Sequence, residues 1–159
     1  MRKFFLPHPG KIFVFRLLVV TGATLLIFSL VLKPFFISGK SMLPTYGERG
    51  FTCAFRWSYF FSSPERGDVV AISYFGSRHL LKRILAVEND TVELRNGKLF
   101  INGQLFAEPY VKYQGNWNVP ETFVPEGYCF VAGDNRQQDE SSHLFGLVQI
   151  KRIVGKVLF

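Results

Sequence analysis

Hydrophobic and polar positions divide the chain into one long apolar segment and a series of short alternating ones. Residues 17–32 contain no charged side chain, and the apolar run extends back to Ile12 if the long side chain of Arg16 reaches towards the interface. About 20 apolar residues suffice to cross a bilayer as one helix. The segment has no polar face at helical spacing, which disfavours a buried core helix. We therefore predict a cytoplasmic N-terminus over 1–11, a transmembrane anchor over 12–32 and an extracytoplasmic domain over 33–159.

After the anchor, the pattern is that of short β-strands, and helical periodicity is weak. Asn96-Gly97 and Asn102-Gly103 are strong signals for tight hairpin turns, so residues 91–106 are predicted to form a three-stranded meander. The other predicted strands are 68–75, 79–87, 122–124, 128–132 and 147–158. The domain is therefore expected to be mainly β and antiparallel.

The charge distribution favours a membrane orientation and argues against nucleic-acid binding. The formal net charge is +7, but residues 1–40 hold six basic side chains and no acidic one. From Ser41 onward the chain is nearly neutral, which removes the main electrostatic argument for DNA or RNA. Four of the six basic residues precede the apolar run, so the N-terminus is predicted to be cytoplasmic and the protein to be a single-pass component of the cytoplasmic (inner) membrane.

A cleavable signal peptide is the competing interpretation of the apolar segment, because it has a similar charged start and apolar middle. The residues that follow, Lys33-Pro34-Phe35-Phe36-Ile37, contain no small-x-small cleavage signature. An uncleaved anchor is therefore favoured.

An aromatic segment at 55–61 has two interpretations. Its rings could pack in the core or sheet. Alternatively, next to a membrane anchor, Trp57 and Tyr59 could lie at the lipid interface, where such side chains are favoured.

Cysteine and histidine spacing gives little support for a metal site. Cys53 and Cys129 could pair in an oxidising compartment or remain two separate thiols, and the sequence leaves both possibilities open. The chain has no CxxC or HExxH spacing and its three histidines are scattered, so no metal and no cofactor are expected.

Ser41 and Lys82 are the residues most suited to catalysis. A serine hydroxyl needs a nearby base, and a lysine can be that base only when burial keeps it neutral. In the strand predicted over 79–87, Lys82 shares one face with Leu80, Ile84 and Ala86. Each residue also has a plain structural interpretation, as a turn serine before Pro44 and as a strand lysine whose amine reaches water.

In order and context, these residues and several further segments resemble type I signal peptidases, membrane-anchored serine/lysine proteases with a coiled antiparallel β-sheet domain. The matching segments cover nearly the whole chain and are 41–45, 66–70, 82–84, 98–103, 108–110 and 131–136. The resemblance implies Ser41 as nucleophile and Lys82 as general base, with the oxyanion held by the amide of Ser41 and a group two residues earlier. That position is Gly39 here, although some family members have a serine.

The C-terminal motif departs from the family pattern. Asp139 occupies the position of the serine that usually orients the lysine, so the resemblance leaves Ser141 and Ser142 as other candidates for that role. Ser141 and His143 also replace an Asp and an Arg. A carboxylate against Lys82 would favour its charged form and oppose base function.

The resemblance implies signal peptides of exported preproteins as substrates and membrane lipid as a partner. Ile37 and Leu81 would shape shallow pockets for small residues at the first and third positions before the cut. Two alternatives remain: a specialised relative that matures a pilin or conjugation protein, and a non-catalytic membrane-tethered β module. The sequence does not indicate an oligomeric state.

Overall fold

A computed structural model describes residues 10–74, 79–139 and 145–158 of the chain. Within these residues, one α-helix precedes eleven strands. The elements are α1 (Lys11–Val31), β1 (Leu32–Ser38), β2 (Arg49–Phe55), β3 (Val69–Ser73), β4 (His79–Ala86), β5 (Thr91–Arg95), β6 (Lys98–Ile101), β7 (Gln104–Phe106), β8 (Val119–Phe123), β9 (Tyr128–Ala132), β10 (Gly146–Gln149), a short 3₁₀ helix (Ile150–Arg152) and β11 (Ile153–Val157).

α1 corresponds closely to the predicted anchor. None of its residues is buried, and within the described residues it is the one helix long and apolar enough to cross a membrane. It ends at Val31 because Leu32 adopts an extended conformation and begins β1. Pro34 lies in β1, an edge strand, where the missing amide hydrogen is tolerated.

Two antiparallel sheets follow the helix. The larger has seven strands in the order β1-β2-β11-β3-β4-β9-β10, and the smaller has four in the order β7-β6-β5-β8. The meander predicted at 91–106 is confirmed as β5, β6 and β7. Asn96 and Asn102 adopt positive φ angles of 49° and 52°, as a type I′ turn requires.

Two details of the strand prediction were wrong. The strand expected over 147–158 is two strands separated by the 3₁₀ helix, with β10 beside β9 and β11 between β2 and β3. Ala86 does not share the environment of Lys82, because the β4–β9 pairing shifts register between Ile84 and Ala86. Ala86 packs instead with the buried residues shared by the two sheets.

Each face of the large sheet carries its own apolar cluster near β4. One cluster contains Met42, Ala71 and Leu81, and the other contains Val70, Ile72, Ile84, Cys129 and Val131. Alternation along β4 therefore directs Leu81 and Lys82 to opposite faces.

Cys53 and Cys129 are free thiols. They lie in β2 and β9, which are separated by β11, β3 and β4 in the sheet. At about 4.8 Å per strand spacing, this separation is far beyond the roughly 7 Å limit between the Cα atoms of a disulfide. Of the two possibilities left by the sequence, the structure has two separate thiols.

Candidate active site

Ser41 lies in the turn that follows β1 and is half-buried. The next residue, Met42, is almost completely buried and packs in the same cluster as Leu81 of β4. Burial of Met42 fixes the turn against the sheet, since removing a buried methionine side chain typically costs 2–5 kcal/mol. The hydroxyl-bearing residue is thereby held next to the middle of β4.

Ser41 lines a small cavity together with three other residues singled out from the sequence. Ile37, Gly39 and Leu81 contribute to the same cavity, whose volume is about 60 Å³. A cavity of this volume can accept a small side chain. The structure thus brings together the candidate nucleophile, the oxyanion candidate and both pocket candidates.

His79 also lines this cavity, which the sequence analysis did not predict. Its imidazole stacks on the ring of Phe35, with 6.0 Å between the ring centroids. β1 and β4 are not neighbouring strands in the sheet. The contact between Phe35 and His79 could therefore not be predicted from the sequence.

Lys82 is deeply buried, with 3% of its surface exposed. It pairs with Val70 of β3, and neighbours on its face belong to the apolar cluster around Ile72 and Ile84. Desolvation is the main cause that lowers the pKa of Lys82 to about 8, and attraction by the Asp134 carboxylate partly offsets it. Lys82 is therefore substantially neutral at mildly alkaline pH, as a lysine base must be.

Lys82 lines a second cavity of about 150 Å³. Leu80 lines both cavities. In the part of the chain that is described, no hydrogen bond joins the Ser41 hydroxyl to the Lys82 amine. Such hydrogen bonds are often long in unliganded enzymes and shorten when substrate binds.

Asn135 holds the backbone of the serine turn. Its amide donates to the carbonyl of Ser41 at 3.0 Å, and its side-chain Nδ2 donates to the carbonyl of Lys40, also at 3.0 Å. Two bonds from one residue to consecutive carbonyls fix the position and the orientation of the turn. Residues 131–136 are among the segments that resemble the family, but this role of Asn135 was not predicted from the sequence.

Asp134 connects the serine turn to β4. Its carboxylate receives two hydrogen bonds from Arg83, Nε at 2.8 Å and Nη2 at 2.7 Å, and one from the Thr45 hydroxyl at 2.5 Å. Arg83 also donates Nη1 to the carbonyl of Gly67 at 2.7 Å. A buried carboxylate satisfied in this way fixes Lys82, which precedes Arg83, relative to the turn that holds Ser41.

The backbone amides of Gly39 and Ser41 are the two candidate donors to the oxyanion, and they differ in whether another group already accepts their hydrogen. The amide of Gly39 donates to the carbonyl of Glu48 at 2.9 Å, so its hydrogen is engaged. For the amide of Ser41, no acceptor is found among residues 10–74, 79–139 and 145–158. Gly39 has φ +139°, a conformation that favours glycine, and a Cβ there would meet open space.

The candidates for orienting Lys82 lie at the end of the described segment. Asp139 is exposed, and Asp134 is the carboxylate that raises the pKa of Lys82. Ser141 and Ser142 lie outside the described residues. Up to Asp139 the loop is braced, because Arg136 pairs with Glu108 and Trp117 Nε1 donates to the carbonyl of Gln138 at 3.0 Å.

Among the described residues, no cluster of three or more His, Cys, Asp or Glu side chains could hold a metal ion. The residues at the site can supply a side-chain hydroxyl, a neutral amine and a backbone amide donor.

This combination fits acyl transfer, and comparison with known proteins identifies the family. The family model described as signal peptidase, peptidase S26, matches residues 10–159. The chain belongs to this family.

Two curated relatives illustrate the similarity. The chain is 36% identical over 143 residues to thylakoidal processing peptidase 1 of Arabidopsis thaliana, covering 82% of this chain and 42% of that protein. It is 33% identical over 159 residues to signal peptidase I of Bacillus licheniformis, covering 90% of this chain and 83% of that protein. The chain thus spans about two fifths of the length of the thylakoidal relatives.

A solved structure is also similar. A signal peptidase I of Enterococcus faecalis aligns at 30% sequence identity with a TM-score of 0.49, covering 61% of this chain and 98% of that chain.

Proposed function

We propose that this protein is a membrane-anchored serine endopeptidase that removes signal peptides from exported preproteins, with Ser41 as nucleophile and Lys82 as general base. One observation carries the proposal: Lys82 is buried and its pKa is lowered, and it lies in β4, the strand whose residues also line the cavity of Ser41. Membership of the signal peptidase family supports the same activity.

Substrate binding follows from the exposed edge of β1. An extended peptide can add as a strand beside β1, so that alternate side chains point towards the cavity lined by Ile37 and Leu81. The small volume of this cavity admits small residues such as alanine. Each such pocket discriminates by about 1–3 kcal/mol, so confinement of enzyme and substrate to one membrane surface adds to selectivity.

The chemistry uses the groups already described. Lys82 Nζ accepts the proton of Ser41 Oγ as Oγ attacks the scissile carbonyl, and the amide of Ser41 donates to the developing oxyanion. Lys82 then gives the proton to the leaving amine. Water, deprotonated by Lys82, hydrolyses the acyl-enzyme and restores Ser41.

The membrane arrangement completes the proposal. α1 crosses the cytoplasmic membrane once with the N-terminus in the cytoplasm, because four of the six basic residues of segment 1–40 precede its uncharged part, which begins at Leu17. The sheets then lie on the outer side, and β1 begins directly after α1 and leads to the serine turn.

The test is cleavage of a preprotein with alanine at the first and third positions before the junction, by full-length enzyme in detergent. Ser41→Ala and Lys82→Ala are expected to abolish cleavage. Lys98→Ala, which removes an exposed lysine of the small sheet, is expected to retain it. Full cleavage by either of the first two variants would contradict the assigned roles.

A further inference from the structure

The loop at residues 56–61, here called the aromatic loop, is attached to the C-terminal end of α1. The amide of Arg56 donates to the carbonyl of Val31 at 2.9 Å, and Trp57 Nε1 donates to the carbonyl of Leu30 at 3.1 Å. The last carbonyls of a helix have no partner within the helix, so these bonds satisfy two groups that would otherwise be unpaired. The aromatic loop therefore lies at the level where α1 leaves the bilayer.

The rings of the aromatic loop are exposed rather than packed in the core. Trp57 is 44% exposed, Phe60 68% and Phe61 87%. They contact one another edge to face, with centroid distances of 5.3 Å for Trp57–Phe60 and 4.7 Å for Phe60–Phe61. Of the two interpretations drawn from the sequence, core packing does not hold for these three rings.

A cavity of about 510 Å³ separates the aromatic loop from the 3₁₀ helix. Leu30, Trp57 and Phe60 give it an apolar wall, while Arg56 and Lys151 give it two cationic side chains. One side is thus suited to acyl chains and the other to an anionic group.

Neither cation has an acidic partner among the residues that the structure describes. The carboxylate of Asp68 is already engaged, since it pairs with Lys156 at 2.5 Å and accepts a hydrogen bond from the Tyr59 hydroxyl at 2.7 Å. Arg56 and Lys151 are exposed, and a phosphate group would supply acceptor oxygens for both.

We propose that the cavity between the aromatic loop and the 3₁₀ helix binds the headgroups of anionic phospholipids in the leaflet from which α1 emerges. The aromatic rings enter the interfacial layer, and Arg56 and Lys151 contact the lipid phosphates. This surface holds the large sheet against the bilayer at a second place besides α1. The inference depends on α1 spanning the membrane, as proposed above, and not on peptidase activity.

The test uses full-length Ser41→Ala protein in nanodiscs of zwitterionic phosphatidylcholine, so that its result is independent of cleavage. About one tenth of the lipid is replaced by brominated phosphatidylglycerol in one sample and by brominated phosphatidylcholine in another. Bromine quenches nearby tryptophan fluorescence, and a Trp57→Phe variant gives the contribution of Trp117, the other tryptophan, which is buried.

We expect stronger quenching of Trp57 by the anionic lipid. A cation near an anionic lipid surface contributes about 1 kcal/mol, equivalent to roughly fivefold local enrichment per cation at low salt. Arg56→Gln combined with Lys151→Gln should make the two brominated lipids equally effective while leaving quenching by the zwitterionic one unchanged. That unchanged quenching also shows that the variant keeps its fold.

Lys33→Gln is the matched control, because Lys33 is a cation just after α1 that does not line the cavity. It should retain most of the preference for the anionic lipid. If Lys33→Gln loses the preference for the anionic lipid to the same extent as the double variant, the preference comes from the general positive charge near the membrane. That result would overturn the proposed site. Equal quenching by both lipids in the parent protein, or quenching by neither, would overturn it as well.

Discussion

The guanidinium of Arg83 and the carboxylate of Asp134 form a buried, two-bonded ion pair at 2.7–2.8 Å that joins β4 to the loop after β9. Arg83 directly follows Lys82, and Asp134 directly precedes Asn135, the residue bonded to the backbone of Ser41. The pair therefore links the elements that carry the proposed base and the proposed nucleophile.

Loss of Asp134 is expected to destabilise the fold strongly. Asp134→Ala leaves Arg83 buried without its counter-charge, which typically costs 3–5 kcal/mol. Glu48→Ala removes one member of the exposed pair with Lys40, at 4.0 Å, and should cost less than about 1 kcal/mol. Unfolding of both variants in detergent measures the difference. If both variants lost a similarly small amount of unfolding free energy, the buried pair would not be what holds β4 and the loop after β9 together.

Asn135 is expected to act as a positioning residue. Asn135→Ala removes the bond from the side chain to the Lys40 carbonyl, which allows the serine turn to shift. Because a displacement of about 1 Å can lower a rate by around 10²-fold, kcat should fall by 10- to 100-fold. KM should change little, since the cavity walls of β1 and β4 remain.

Steady-state kinetics of preprotein cleavage separate kcat from KM for Asn135→Ala, and thermal unfolding checks that the variant is folded. Gln137→Ala, at an exposed neighbouring position, should behave as the parent enzyme. A rise in KM at constant kcat would assign Asn135 to substrate binding instead.

Replacement of the buried lysine is expected to stabilise the protein in a pH-dependent way. The pKa of Lys82 is about 8 in the folded protein, against 10.5 for an ordinary lysine. The unfolded chain therefore binds more protons between these pH values, and the stability of the parent rises with pH through this window. Lys82→Met removes the penalty and should add about 3 kcal/mol at pH 7, a gain that disappears as the pH approaches 10.5.

Thermal unfolding in detergent at pH 7 and at pH 10 measures this effect. Lys98→Met, at an exposed lysine, is the control and should show no comparable dependence on pH. A Lys82→Met variant that is less stable than the parent at pH 7 would mean that the ammonium is well solvated or paired in the folded protein.

The local features of the fold could be predicted from the sequence. The anchor has a continuous apolar composition, and the Asn-Gly pairs have the backbone conformation that their turn type demands. These signals depend on neighbouring residues and need no knowledge of distant contacts. Ser41 and Lys82 became candidates only together with the anchor and the other matching segments, because each residue alone also has a plain structural interpretation.

The contacts that assemble the site are non-local and could not be predicted in the same way. Asn135 reaches a carbonyl 95 positions earlier, and Arg83 pairs with a residue 51 positions later. The register shift after Ile84 depends on how β4 meets β9. Such features depend on the order of the strands in the sheet. The alternation of apolar and polar residues within one strand does not encode that order.

The pH dependence of kcat/KM for preprotein cleavage tests the central claim, that buried Lys82 is the neutral base for Ser41, most directly. Cleavage should rise with pH as Lys82 loses its proton, with an inflection near 8, and reach a plateau above it. His79→Gln, which removes the imidazole that lines the cavity of Ser41, should retain that inflection. A profile that is flat between pH 6 and 10, or an inflection near the 10.5 of an ordinary lysine, would contradict the account.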